Sequence, residues 1–180
     1  MKKRLSIGTK APNFTYDTVT EQSLDFYKTI RGRRSVLFFL RYAGCPICQM
    51  KLRDILRNHE DFRAAGLEVF VILQSVPSTV REALAGTPVP FRIVCDGNSR
   101  IFKLYGVSAG NILQYLAPSV ILKAIKAARA GIKHGKKEGN EMQLPAVFIV
   151  GAEGSIDYAY YGMNIGDVPE NSVILGASRA

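Results

Sequence analysis

The sequence predicts an α/β fold in which helices flank a central mixed sheet. Short apolar runs typical of buried strands recur along the 180 residues, and stretches with apolar residues at helical spacing separate most of them. The predicted strands are 35–40, 67–73, 91–95, 146–150 and 155–161. The first three alternate with helices, which favours parallel pairing. The turn Gly151–Gly154 makes the last two an antiparallel hairpin.

The chain is expected to form one domain over residues 1–180, because no repeat or linker interrupts it. Residues 5–34 form an N-terminal extension, and residues 111–139 form a helical insertion before the last two strands. An apolar stripe runs along the insertion at near-helical spacing: Leu116, Val120, Ile125, Ala128 and Ile132. A basic amphipathic helix of this kind can contact a membrane. We favour a surface helix packed on the domain and expect no membrane partner.

The charge pattern argues against nucleic acid as a partner. The chain carries 24 Lys and Arg against 15 Asp and Glu, a net charge of +9, but the basic residues are scattered and no aromatic stripe accompanies them. No apolar stretch follows the charged start Met1–Arg4, so we expect no secretion signal. Three cysteines do not make an extracellular disulfide framework. A cytoplasmic location is therefore expected.

The most informative segment is Tyr42-Ala43-Gly44-Cys45-Pro46-Ile47-Cys48. It joins a buried strand to a stretch from 49 to 65 with helical periodicity, which places Cys45 at the N-terminus of a helix. Pro46 suits the first helical position, where its missing N–H costs nothing. The helix dipole and free backbone N–H groups favour a thiolate there and lower the cysteine pKa. Cys45 is therefore the candidate nucleophile.

Cys48 follows one helical turn later, within reach of a disulfide after a small adjustment. Half of a zinc site is one alternative, but a structural site needs four ligands, and Cys95, His59 and His134 form no second close pair. Two inert core thiols are the other alternative. We favour redox chemistry and no metal, because a strand–CxxC–helix unit has a known redox mechanism. We expect Cys95 in a buried strand, with a relay thiol as its alternative, and both histidines on solvated faces.

Taken together, the motifs resemble a known family. Four groups of residues carry the resemblance: Ile7–Phe14, Leu40–Cys48, Cys95–Gly97 with Lys103–Val107, and Gln143–Val150. They resemble the thioredoxin fold and, within it, the peroxiredoxin-like AhpC/TSA group (alkyl hydroperoxide reductase/thiol-specific antioxidant). The resemblance spans residues 7–162.

The resemblance implies that Cys45 is the attacking thiol and Cys48 the resolving thiol, with no cofactor. It also implies that Tyr42, Gly44 and Pro145 position the substrate, with a cis Leu144–Pro145 bond beside the CxxC turn. For that arrangement we expect strands 35–41 and 146–150 to be parallel neighbours.

The chain departs from typical peroxiredoxins at three places. Tyr42 stands where the family has threonine, Phe38 stands where it has proline, and no arginine lies near Pro145. Arg41 is close to the thiol in sequence, but the sequence does not give its direction.

These observations predict a thiol-based oxidoreductase that reduces hydroperoxides through a Cys45–Cys48 disulfide, with a thioredoxin-like dithiol as reductant. A disulfide reductase acting on proteins or small molecules is the first alternative, and a non-enzymatic binding module on a redox fold is the second. The assembly we keep open is a homodimer.

Overall fold

The computed structural model describes residues 4–179, so the charged start Met1–Lys3 lies outside the described residues. A five-stranded mixed sheet with the order β5-β4-β3-β6-β7 forms the centre, and a two-stranded antiparallel sheet lies in the N-terminal extension. The strands are β1 (Thr15–Tyr16), β2 (Leu24–Asp25), β3 (Ser35–Leu40), β4 (Glu68–Leu73), β5 (Arg92–Cys95), β6 (Ala146–Val150) and β7 (Ile156–Tyr161). The predicted α/β class with a mixed sheet is confirmed.

The strand directions contradict one expectation. β3 pairs in parallel with β4, and β4 with β5, as predicted. β3 and β6 are neighbours, but they are antiparallel, with Phe39 opposite Ala146. In antiparallel pairing the start of one strand lies beside the end of its neighbour. The segment that enters β6 therefore reaches the end of β3 directly, without the crossover that parallel strands would require.

Helices cover both faces of the central sheet. They are α1 (Phe26–Ile30), α2 (Pro46–Arg57), α3 (His59–Ala64), α4 (Pro77–Leu84), α5 (Arg100–Leu104), α6 (Ile112–Tyr115), α7 (Pro118–Arg129) and α8 (Asn171–Ala177). The single helix predicted from 49 to 65 is divided at Asn58 into α2 and α3. The predicted insertion contains α6 and α7, but residues 132–139 are irregular. Within residues 4–179, no helix is long and apolar enough to cross a membrane.

Strand β3 lies at the centre of the core, because all six of its residues are buried. Phe38 and Leu40 face the cluster that contains α2, whereas Leu37 and Phe39 face the cluster covered by the N-terminal extension. Burying a large apolar side chain contributes about 1.5–3 kcal/mol. A strand packed on both faces gives the chain that leaves it a rigid starting point, and the CxxC segment leaves from Leu40.

Candidate active site

Cys45 caps the N-terminus of α2, where the sequence places it. Its backbone is extended (φ −76°, ψ 121°), and its Sγ accepts a hydrogen bond from the Cys48 N–H at 3.4 Å. Pro46 occupies the first turn of the helix. The Tyr42 carbonyl accepts from the Cys45 N–H at 3.1 Å, which closes the turn between β3 and α2. The sulfur therefore lies at the positive end of a twelve-residue helix.

Arg41 supplies the cation that sequence reasoning left without a direction. Its Nη2 donates a hydrogen bond to Cys45 Sγ at 2.8 Å, and its Nη1 donates to the Glu141 carbonyl at 2.6 Å. The guanidinium lies 5.5 Å from the Tyr42 ring centre and 5.8 Å from the Tyr115 ring centre. The side chain is buried and has two aromatic rings beside it, so its donors are held in a fixed direction toward the sulfur.

The pKa values of the two thiols in the motif are shifted in opposite directions. The pKa of Cys45 falls from 9.0 to about 6, because the Cys48 thiol donates a hydrogen bond to it and the Arg41 charge stabilises the thiolate, against the opposing effect of burial. The pKa of Cys48 is raised well above its ordinary value by that same hydrogen bond and by burial. At neutral pH Cys45 is therefore the thiolate and Cys48 the neutral thiol. Neither is in a disulfide.

Residues 132–142, which we call the cover segment, lie over the CxxC turn. The Gly135 N–H donates to the Gly44 carbonyl at 2.8 Å. A side chain at Gly44 would overlap this segment, since an added Cβ would lie 2.7 Å from the Gly135 carbonyl carbon. Two further hydrogen bonds hold the segment: Asn140 N–H to Gln74 Oε1 at 2.7 Å, and Thr79 Oγ1 to Glu138 Oε1 at 2.8 Å.

Cys45 is completely buried under this cover, with 0% of its surface exposed. A substrate can reach the sulfur only after the cover segment or a neighbouring side chain moves. Gly44, which we expect to position substrate, permits the close approach of the cover segment in this closed site.

The Tyr42 hydroxyl bonds to the cover segment and not to the Cys45 sulfur. Its hydroxyl donates to Glu141 Oε1 at 3.3 Å and lies 3.1 Å from His134 Nε2. Burial, followed by the negative charge of Cys45, raises the Tyr42 pKa far above its ordinary value, so the hydroxyl stays protonated and can donate. His134 is exposed, as expected, but it lies at the site, whereas His59 packs beside Phe91, with 6.2 Å between ring centres.

The expected cis bond at Pro145 is wrong, because the Leu144–Pro145 peptide is trans. The preceding residues already follow an extended path. The Leu144 N–H donates to the Ser108 carbonyl at 3.3 Å, and Gln143 forms an antiparallel bridge with Ala109. This pairing aligns the chain with β6 without a cis turn. Pro145 still lies near the end of β3, since the next residue, Ala146, is opposite Phe39.

Cys95 is separate from the CxxC pair. It ends β5, two strands away from β3, which is roughly 10 Å at the usual spacing of strands. Burial, followed by the charges of Asp17 and Glu138, raises its pKa to about 12. The thiol is half-buried instead of fully buried as expected. Within the described part of the chain, no group of three or more His, Cys, Asp or Glu side chains is arranged to hold a metal ion.

Comparison with known proteins identifies the family. Residues 7–159 match the AhpC/TSA family. The chain belongs to this family. A candidate peroxiredoxin of Mycobacterium tuberculosis is 28% identical over 103 residues, which make up 57% of this chain and 65% of that protein. The match thus covers less than two thirds of the relative's length.

Solved structures show the same fold at low sequence identity. Peroxidoxin BcpB from Mycobacterium tuberculosis superposes with a TM-score of 0.71 at 11% identity, over 98% of this chain and 97% of that one. Peroxiredoxin 6 of Arenicola marina superposes with a TM-score of 0.73 at 16% identity, over 97% of this chain and 72% of that one. The predicted thioredoxin-like fold and AhpC/TSA family membership are confirmed.

Sequence reasoning missed two features of the site. The first is that the Arg41 side chain points toward Cys45. The second is the cover segment, in which Glu141 lies 100 positions from Arg41 in the chain. The position of an arginine four residues before the nucleophile was a signal for the first. No local pattern signals the second, because the contact depends on how the irregular part of the insertion folds back.

Proposed function

We propose that this protein reduces hydroperoxides, with Cys45 as the attacking thiol and Cys48 as the resolving thiol. The observation that carries the proposal is the Arg41 guanidinium, 2.8 Å from Cys45 Sγ at the start of α2. Thiolates, not thiols, are the nucleophiles in this chemistry. A cysteine with a pKa of about 6 is mostly thiolate at neutral pH. Family membership supports the same chemistry.

In the first step the Cys45 thiolate attacks the terminal oxygen of the hydroperoxide. A sulfur–oxygen bond forms as the O–O bond breaks, and the sulfur is oxidised to a sulfenic acid that keeps the hydroperoxide proton. The departing alkoxide or hydroxide takes a proton from solvent and becomes an alcohol or water. Arg41 Nε is buried and makes no hydrogen bond to any residue of the described range 4–179. The guanidinium therefore has a donor that can bind a peroxide oxygen as negative charge develops on it.

In the second step the Cys48 sulfur attacks Cys45 Sγ. The new S–S bond displaces the sulfenic oxygen, which leaves as water after taking up the thiol proton of Cys48. An external dithiol, which we propose to be thioredoxin-like, then reduces the disulfide by exchange and supplies the two electrons. Neither step needs a cofactor. The cytoplasm, where such reductants keep thiols reduced, is the location we propose.

The buried sulfur adds a gating step to this cycle. Because Cys45 has no exposed surface, hydroperoxide binding and exchange with the reductant both follow a movement of the cover segment or of a neighbouring side chain. The cover returns the thiolate to a dry site, where the Arg41 charge acts more strongly than it would in water.

The test is titration of the fully reduced protein with one equivalent of cumene hydroperoxide. We expect two free thiols to disappear, and peptide mapping to find a Cys45–Cys48 disulfide. In Cys48→Ser the same treatment should leave a Cys45 sulfenic acid that dimedone traps. Unchanged free thiols after addition of peroxide would reject the proposal. A dominant Cys45–Cys95 link would transfer the resolving role to Cys95.

The unequal pair of thiols supports a second candidate, a disulfide reductase. A thiolate with a neutral partner three residues away is also suited to attack a substrate disulfide, which releases one substrate thiol and leaves a mixed disulfide. Cys48 then attacks Cys45 Sγ, so that the second substrate thiol is released and the Cys45–Cys48 disulfide forms. Stopped-flow rates of the reduced protein with cumene hydroperoxide and with oxidised glutathione separate the two functions. Faster reaction with the disulfide would favour the second candidate.

A further inference from the structure

The outer surface of α6 and α7 exposes aliphatic side chains that the rest of the described chain leaves uncovered. We call this surface the α6–α7 face, and its members are Leu113, Leu116, Ile121, Leu122 and Ile125. Leu113 is 78% exposed and Leu122 is 68% exposed. In the apolar stripe predicted to pack on the domain, only Val120 and Ile132 are buried. The sequence interpretation of a helix packed along its apolar stripe is therefore correct for only part of the stripe.

The geometry of α7 separates a narrow buried side from a wide apolar outer side. Val120 and Ala127 are its buried residues. Successive helical residues are about 100° apart, so Ile121, Leu122 and Ile125 project away from that buried side. The side chains lie on the convex surface of a helix, so they do not line a groove.

The charge of this region is entirely positive. Residues 106–137 contain six Lys and Arg and no Asp or Glu, against a net charge of +9 for the whole chain. Lys126, Arg129 and Lys133 are exposed at the C-terminal end of α7 and just beyond it. Lys136 and Lys137 follow in the cover segment, where they pair with Glu138 and Glu141, so the free cations of the face are those of α7 and its end. The face is thus apolar at its centre and cationic at one end.

We infer that the α6–α7 face binds the surface of an anionic lipid bilayer, with α7 lying in the plane of the interface. An amphipathic helix inserts its apolar side at the headgroup boundary while its lysines and arginines attract anionic lipids. Each cation near such a surface contributes to binding. Charge argues against a second copy of this chain as the occupant, because two faces of net positive charge would repel each other. This inference replaces the expectation that the protein has no membrane partner.

The face is continuous with the candidate active site. The chain that leaves α7 at Arg129 enters the cover segment, where Gly135 contacts Gly44 and His134 contacts Tyr42. A bilayer bound to α7 would therefore lie next to the segment that controls access to Cys45.

The test is co-sedimentation of the full chain with vesicles of phosphatidylcholine alone or mixed with phosphatidylglycerol. We expect binding to the mixed vesicles, release of the bound protein by high salt, and no binding to phosphatidylcholine alone. Lys126→Gln with Arg129→Gln should weaken partitioning by about 30-fold. Leu122→Ser with Ile125→Ser should abolish binding, and these exposed positions leave folding intact, which circular dichroism checks.

Matched variants outside the face are the controls. Lys28→Gln with Arg53→Gln removes two exposed cations elsewhere, and Val173→Ser removes an aliphatic side chain that is 54% exposed on α8. Both should bind as the unmodified protein does. Absence of binding to anionic vesicles would overturn the inference, as would equal losses in control and test variants. Concentration-dependent dimerisation that Leu122→Ser removes would instead assign the face to a second copy.

Discussion

Cys45 follows one strand of the parallel half of the sheet and Cys95 ends another, but their surroundings shift their pKa values in opposite directions. Cys45 is fully buried, yet its pKa falls to about 6. Cys95 is only half-buried, yet its pKa rises to about 12. The Cys48 thiol, Arg41 and a helix N-terminus face the first, whereas carboxylates of Asp17 and Glu138 lie near the second.

The difference shows that burial does not decide whether a thiol is reactive. Removing a thiolate from water always raises its pKa. At Cys45 the hydrogen-bond donors and a fixed cation outweigh the effect of burial, and at Cys95 the charges of Asp17 and Glu138 add to it. If these local partners, and not position in the fold, make one thiol a nucleophile, removing a partner should change its reactivity.

The largest expected effect comes from removing each thiol in turn. Cys45→Ser should abolish hydroperoxide consumption, because a serine hydroxyl stays protonated in this site and cannot replace a thiolate. Cys95→Ser should leave consumption unchanged, because its thiol is neutral throughout the physiological pH range. Peroxide loss in the presence of a dithiol reductant measures both. If Cys95→Ser were as inactive as Cys45→Ser, the comparison would fail and Cys95 would be a relay thiol.

Removing the Arg41 charge should raise the pKa of Cys45 and so make this thiol less reactive, as Cys95 is. In Arg41→Met the Cys48 hydrogen bond remains, but the charge and one donor are lost, so the Cys45 pKa should rise toward its ordinary value of 9.0. Because the Cys48 hydrogen bond has the larger effect on the pKa, the return is partial, and at a pH close to 6 the thiolate fraction, and with it the peroxide rate, should fall by about 10-fold. Arg41→Lys keeps the charge and should lose less. The pH profile of iodoacetamide labelling at Cys45 measures the change, and an unshifted profile in Arg41→Met would exclude this role for the guanidinium.

The sequence predicted the position of the Cys45 thiol better than the distant segments that contact its site. Strand β3, Pro46 and Cys45 are adjacent in the chain, so apolar patterning and helix-capping rules place the thiol correctly. The prediction of a cis bond at Pro145 was wrong because the path into β6 is set by the pairing of Gln143 and Leu144 with residues 108–109. This pairing joins segments that are distant in the sequence.

The predicted direction of β6 was wrong for a related reason. Alternation of strands and helices favours parallel pairing, but the insertion between β5 and β6 lets the chain return in either direction. Its irregular end became the cover over Cys45, and no hydrophobic period marks such a contact. What depends on neighbouring residues was predictable here, and what depends on the return of a long irregular segment was not.

The two thiols should also differ in how they link stability to pH. The Cys45 pKa is lower in the folded protein than in the unfolded chain, so its contribution is present above its unfolded pKa and is lost as the pH falls through about 6. Between about pH 6 and about pH 8 the free energy of unfolding of the reduced protein, relative to Cys45→Ser, should rise by about 2 kcal/mol. Urea denaturation at both values measures this difference.

Cys95 provides the contrast in the same experiment. Its raised pKa means that its contribution is present below its unfolded pKa and is lost only as the pH rises through about 12. The free-energy difference between the reduced protein and Cys95→Ser should therefore be constant between about pH 6 and about pH 8. A slope for Cys95→Ser equal to that for Cys45→Ser would show that the effect is not specific to the thiolate.

The smallest expected effect concerns the cover over Cys45. Tyr42→Phe removes the hydroxyl that bonds to Glu141 and His134 while leaving the ring beside Arg41. One hydrogen bond contributes about 1 kcal/mol, so the cover should open more often and Cys45 should be alkylated about 5-fold faster. The alkylation rate should be measured at a pH well above the Cys45 pKa of about 6, because there the thiolate fraction is constant and only access to the sulfur changes. Tyr27→Phe is the matched control, because it removes a hydroxyl bonded to the Ala11 carbonyl in the N-terminal extension. If both variants accelerated labelling equally, general loosening of the fold would explain the result, and if neither did, the Tyr42 hydroxyl would not hold the cover closed.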